Sequence, residues 1–134
     1  MPRYMLDTNI CIYLMRNQPS SVARRFAACH VGDVVMSAIT FAELEYGVSV
    51  SADPARDRAT LTSLVADIPV ASFGADAGVA YGLIRAATRD SRKDHLDKLI
   101  AAHAVALKLV LVTNNVRDFD KYPGLLIENW LESP

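Results

Sequence analysis

Acids and one amide stand where the short apolar runs of this chain give out. Asp7 follows Tyr4-Met5-Leu6, Glu43 closes Ser37-Ala38-Ile39-Thr40-Phe41-Ala42, and Asn115 and Asp118 follow Leu109-Val110-Leu111-Val112. Asp97 heads an apolar helical stretch and shares a face with Ile100, Ala101 and Ala104, the face that should pack inward. A carboxylate on such a face costs several kcal/mol unless it is paired or coordinated. If these acids meet they repel one another, and the spacing offers no buried Lys or Arg beside them. A hard divalent cation resolves that conflict. An oxygen-only set without Cys or His points to Mg²⁺ or Mn²⁺ rather than zinc, and such a site suits phosphodiester hydrolysis.

Each residue also has a plainer local reading. Asp7 fits an N-cap or Asx turn, and Thr40-Phe41-Ala42-Glu43 fits a capping box in which Glu43 reaches back to an N-cap amide. Asp97 could favour a helix N-terminus through the dipole, Asp118 reads as a solvated loop charge, and Asp94 reads as a solvated loop acid or as a further ligand. The joint pattern is what weakens these readings, because independent caps have no reason to collect at one end of a sheet.

The elements that must position the acids read as α/β with a mostly parallel sheet. Strands are expected at Tyr4-Met5-Leu6, Val34-Val35-Met36, Leu109 to Val112 and Leu126-Ile127, with Pro69-Val70-Ala71 as an edge strand because proline is tolerated there. Helices are expected after Asn9, from Pro19-Ser20 to about Cys29, over about 40–51, 54–66 and 74–89, and from Asp97 to Leu107. Asp90 to Leu96 reads as a charged connection. In an open sheet of this kind ligands bind outside the carboxyl ends of the strands, where the acids stand.

Composition narrows the class. The chain has 134 residues, 51% hydrophobic and 22% charged, which is one domain (1–134) with enough apolar mass for a core. The net charge of −1 excludes sequence-blind nucleic-acid binding over the whole surface, so phosphate contacts need a local patch. Two cysteines, Cys11 and Cys29, read as small core hydrophobes and suit a reducing cytoplasm. The longest apolar stretch is broken by His103 and Lys108, and Asp7 sits where a signal peptide would be apolar, so neither a membrane span nor a leader is expected.

With these residues in place the chain resembles the PIN-domain ribonucleases, and among them the VapC-type toxins of type II toxin–antitoxin pairs. The matching segments are Met5-Leu6-Asp7-Thr8-Asn9-Ile10, Ser37 through Leu44, Asp97 through Ala104, and Val112-Thr113-Asn114-Asn115, followed by Asp118-Phe119 and Glu128-Asn129-Trp130. The resemblance implies a three-layer α/β/α fold and Mg²⁺-dependent endoribonuclease activity, with Mn²⁺ as a substitute. It also implies a VapB-type antitoxin, a homodimer, and a tRNA substrate, the initiator tRNA anticodon stem-loop foremost. Carried over by position, Asp7, Glu43 and Asp97 become the catalytic and metal-binding triad. Thr8 and Thr113 become neighbours that orient the acids, and Asp118 serves where the family's fourth acid is here the amide Asn115. One departure is clear: Asp90-Ser91-Arg92-Lys93-Asp94-His95-Leu96 replaces a Gly-Pro-rich loop.

Arg85, Arg89, Arg92, Lys93 and Lys98 form a local basic excess that reads either as an RNA-backbone contact or as a solvated face. His103 lies six residues beyond Asp97, off its face, and reads as structural. The helix at 40–51 is apolar on more than one face, which fits a dimer interface, an antitoxin groove or a thicker core. Two functional classes stand: a metal-dependent endoribonuclease, or a PIN-fold module that binds RNA or antitoxin without cutting. The second draws on Asn115 and the loop at 90–96. An aspartyl-nucleophile phosphohydrolase is excluded by Asn9, where its second acid would stand, and a receiver domain by the lack of paired acids after the first strand.

Overall fold

The computed structural model describes residues 1–91 and 93–131. Its elements run β1 (Tyr4–Leu6), α1 (Thr8–Arg16), α2 (Ser20–Ala27), β2 (Val34–Ser37), α3 (Ala38–Ser49), α4 (Pro54–Asp67), β3 (Val70–Ala71), α5 (Ala75–Ala87), α6 (His95–Leu107), β4 (Val110–Val112), α7 (Val116–Phe119) and β5 (Leu126–Glu128). The five strands form one sheet in the order β3-β2-β1-β4-β5, and every pairing is parallel. β1 is central, with Met5 level with Val35 on one side and Leu111 on the other.

Successive strand residues face opposite sides, so one sheet feeds two cores. Leu6, Met36 and Val112 join Ile10, Val22, Leu44, Leu61 and Trp130 beneath α1–α4. Met5, Val35 and Leu111 join Ile84, Ile100, Ala101 and Phe119 beneath α5 and α6. Helices on both faces explain why β2 is buried at all four positions, and they make the three-layer α/β/α arrangement the sequence predicts. Pro69 precedes β3, an edge strand, and its carbonyl accepts from the Met36 amide while its missing N–H goes unneeded. Cys11 is fully buried, Cys29 is half-buried, and neither is in a disulfide. No helix among the described residues is long and apolar enough to cross a membrane.

Near the acids the elements differ from expectation, α1 among them, which starts at Thr8 rather than after Asn9. α3 starts at Ala38 because Ser37 caps it, its hydroxyl accepting from the Ile39 amide at 3.0 Å. The capping box at Thr40 and Glu43 therefore does not form, and Glu43 is left to serve elsewhere. α6 starts at His95, two residues early, where Asp94 takes a left-handed conformation (φ 66°) that short acidic side chains tolerate. After β4 the chain turns through the four-residue helix α7, which no periodicity in so short a segment announces.

Candidate active site

Parallel strands put all their carboxyl ends on one side, and Asp7, Thr113 and the start of α3 follow directly from β1, β4 and β2. A cleft of ≈ 120 Å³ there is lined by Asp7, Thr8, Asn9, Glu43, Asp97, Asn115 and Phe119. Asp7 is 4% exposed, and its Oδ1 accepts from the Ile10 amide at 2.9 Å, capping α1. The cap and the cleft thus share one carboxylate. Burial raises its pKa from the ordinary 3.8 to about 6, against the opposing pull of the Thr113 hydroxyl and the Ile10 amide, and Glu43 adds to the rise.

Glu43 is half-buried on the second turn of α3, and its Oε1 accepts from the Thr8 hydroxyl at 2.8 Å. The hydroxyls of Thr8 and Thr40 lie 3.3 Å apart. Thr40, fully buried, is a supporting residue that sequence reasoning assigned to a cap; its position one turn before Glu43 on the same helix face was the available signal.

Asp97 stands in the first turn of α6, and its pKa is also raised to about 6. Burial is the largest cause, followed by the negative charges of Asp94, Asp7, Glu43 and Asp118. The tightest carboxylate group among the described residues is Asp94, Asp97 and Asp118, with one oxygen of each within 4.8 Å of the others. Asp97 therefore belongs both to this group and to the cleft with Asp7 and Glu43. Asp94 is exposed, as a loop acid should be, yet it stands in the group; its spacing three residues ahead of Asp97 was the sign of a shared face.

Asn115 serves an acid. Its Nδ2 donates to Asp118 Oδ2 at 2.8 Å, while its own amide donates to Thr113 Oγ1 at 2.9 Å. Thr113 also acts on Asp7, opposing the rise in its pKa that burial causes.

The expectation of no buried cation is corrected by Lys98, which is 0% exposed. Its Nζ donates to the carbonyls of Ser91 at 2.5 Å and Thr88 at 3.3 Å, closing the end of α5. No ion pair among the described residues includes it, so it leaves the acids' repulsion standing. Its reading as an RNA-facing lysine is corrected too, since no surface of it reaches solvent. Arg85, Arg89 and Lys93 are exposed, and Arg92 lies outside the described residues. His103 is buried on the far side of α6, its Nδ1 2.7 Å from Ser37 Oγ and its ring edge-on to Phe73, so it supports the fold.

The donor set fits a hard divalent cation. It is all oxygen, three carboxylates already lie within one ion's reach of each other, and two acids have pKa values raised first by burial and then by neighbouring negative charge, both of which an ion would offset.

The PIN domain family matches residues 4–125. A Shigella flexneri protein named tRNA(fMet)-specific endonuclease VapC is 39% identical over 132 residues, spanning 97% of this chain and 99% of the relative. Ribonuclease VapC2 of Rickettsia felis is 36% identical over 132 residues, covering 95% and 97% of the two chains. In the crystal structure of DNA-bound VapBC from Salmonella typhimurium, a chain 36% identical superposes with a TM-score of 0.90, covering 97% of this chain and 99% of that one.

Proposed function

The chain belongs to the PIN-domain family, and on that premise we propose that it is the toxin of a type II toxin–antitoxin pair, a Mg²⁺-dependent endoribonuclease. The observation that carries this reading is that Asp97 joins two sets of acids: one oxygen each of Asp94, Asp97 and Asp118 lie within 4.8 Å of one another, and Asp97 lines one cleft with Asp7 and Glu43. It works as one domain over 1–134, in the cytoplasm, and its substrate class is RNA. A tRNA, foremost the initiator tRNA, is supported by the name of the Shigella relative, tRNA(fMet)-specific endonuclease, and the anticodon stem-loop is what the family resemblance adds.

Asp7, Glu43 and Asp97 would hold Mg²⁺, with Asp118 and Asp94 beside them. Bound there, the ion supplies Lewis acidity toward the phosphate and an activated water. The protein's own part is alignment. Thr8 fixes one oxygen of Glu43, the Ile10 amide fixes one of Asp7, and Asn115 fixes one of Asp118. The Asn115–Asp118 bond also weighs against the binding-only reading, because the amide that seemed to replace an acid instead orients one.

The VapB-type antitoxin has a place to lie. A groove of ≈ 510 Å³ lies between α1, α3 and α4, lined by Ile12, Met15, Leu44 and Val48 with the charged Arg16, Glu43, Arg56 and Asp57 among them. An amphipathic peptide seated there touches Glu43, one of the acids. The exposed side chains of Tyr46, Val50, Val79 and Leu83 supply apolar surface for a homodimer.

The test is to incubate antitoxin-free protein and its Asp7→Asn variant with total bacterial RNA, in Mg²⁺ or EDTA, and to map new ends. Discrete cuts that need both Mg²⁺ and Asp7, and that leave 5′-phosphates, are expected. Intact RNA in Mg²⁺ and in Mn²⁺ would sink the proposal.

A further inference from the structure

We infer that a cationic pocket at the end of α5 is a subsite for a backbone phosphate of the RNA, next to the phosphate held at the acids. This rests on the ribonuclease reading above. The pocket, ≈ 290 Å³, is lined by Arg85, Arg89, Ser91, His95 and Lys98. Among the described residues no carboxylate lines it. Ion pairs among the described residues join Arg25 to Glu128, Arg56 to Asp53 and Asp57, and Arg58 to Glu45, and they leave out Arg85 and Arg89. Two guanidinium groups beside one another and without an acid are a charge arrangement that favours an anionic ligand.

The pocket is organised rather than merely charged. Arg85 Nη1 donates to the Tyr81 hydroxyl at 3.1 Å, with its guanidinium carbon 5.9 Å from the Tyr81 ring centre, so the side chain is held along α5. Lys98 lies beneath as a buried floor, its two hydrogen bonds tying the loop carbonyls of Thr88 and Ser91 together. The Ser91 hydroxyl accepts from Lys121 Nζ at 3.5 Å, which links this loop to the segment following Asp118. Lys98 and Lys121 add positive potential without needing to touch a ligand.

Its place beside the acids gives it a role. His95 and Lys98 lie on α6 on either side of Asp97 in sequence, and Asp94 immediately precedes His95. The first turn of α6 therefore separates a metal-type acid cluster from a cation pocket. A strand with its scissile phosphate at the acids can set a neighbouring phosphate against Arg85 and Arg89. Three of the five lining residues, Arg85, Arg89 and Lys98, carry a positive charge, which suits a backbone phosphate, and a phosphate contact positions RNA without reading its sequence. Since the chain's net charge is −1, this local field is what draws the backbone in.

The experiment measures binding apart from cleavage. In an Asp7→Asn background with Mg²⁺, the affinity for fluorescein-labelled bulk bacterial tRNA is followed by anisotropy from about 50 to 200 mM KCl, the range over which phosphate contacts weaken steeply. Arg85→Ala with Arg89→Ala is expected to weaken binding about tenfold or more and to make the log–log salt slope shallower by about 1, while the double Arg→Lys variant keeps the slope. Both arginines are exposed, so circular dichroism should show the fold intact. Unchanged affinity and slope in the double Ala variant, or no tRNA binding by its parent, overturns the subsite. A wild type that never cuts, alongside a double variant that loses tRNA, instead fells the nuclease reading and leaves the pocket standing.

Discussion

Replacing Asp7 by Asn removes a negative charge from a position only 4% exposed while keeping an oxygen to accept the Ile10 amide. The α1 cap is therefore conserved, and the substitution isolates the charge. With a folded pKa of about 6 against an ordinary 3.8, the native state holds this proton over a little more than two pH units longer than the unfolded chain. At 1.36 kcal/mol per unit this corresponds to about 3 kcal/mol. The sign follows from linkage. A carboxylate whose pKa is raised by folding favours the native state fully below the unfolded value, and that advantage is lost as pH rises through about 6. At pH 7.5 in EDTA the wild type thus carries a buried charge at a cost of up to about 3 kcal/mol, and Asp7→Asn should be more stable by about 2–3 kcal/mol. For a chain of this size that is a rise in melting temperature on the order of 8–12 °C. At pH 4 the difference should shrink toward zero. Asp7→Ala should fall about 1 kcal/mol below Asp7→Asn, because it also loses the cap. Urea and thermal unfolding at the two pH values decide the matter. An Asn variant less stable than wild type at pH 7.5, or a gap that does not change with pH, refutes the reasoning.

Asp97, which shares both carboxylate groups, should behave similarly and reveal the ion: Asp97→Asn melts no lower than wild type in EDTA and loses most of the stabilisation by Mg²⁺, whereas equal Mg²⁺ shifts in both proteins would remove Asp97 from the site. Lys98→Met keeps the buried stem but strips two carbonyls of their donor, so stability in urea should drop by about 1–3 kcal/mol. Unchanged stability with lost RNA affinity would mean that Lys98 is a surface contact after all. Asn115→Ala frees Asp118 and should lower cleavage about tenfold, in the range of a lost orienting contact, with melting nearly unchanged; full activity would show that the amide's bond to Asp118 is incidental.

What the sequence disclosed was the part governed by period and punctuation. Leu109 to Val112 could only be a buried strand, and Tyr4-Met5-Leu6 and Val34-Val35-Met36 read the same way, so an all-parallel sheet with acids at one end was within reach. What stayed hidden depended on partners distant along the chain or on single dihedral angles. Lys98 is buried because α5 ends in carbonyls that need a cation, and nothing in the spacing of α6 announces the end of another helix. Asp94 enters the acid group through one left-handed residue that starts α6 early. Ser37 displaced the capping box at Thr40 by capping α3 itself and meeting His103 from across the fold.

The choice between cap and catalyst was, for Asp7, a false one. Independent caps do have a reason to collect at one end of this sheet, which corrects the expectation from sequence: in a parallel sheet every strand leaves at the end where the next helix begins, so the residue that turns the chain from β1 into α1 must stand at the mouth of the site. A carboxylate there satisfies an orphan amide with one oxygen and faces the cleft with its second. Local propensity and function select the same side chain for different reasons. That is why each acid taken singly looks ordinary and the set does not. The structural cost falls on the metal-free protein, in raised pKa values at Asp7 and Asp97, and relief of that cost is the driving force a divalent ion would meet on arrival.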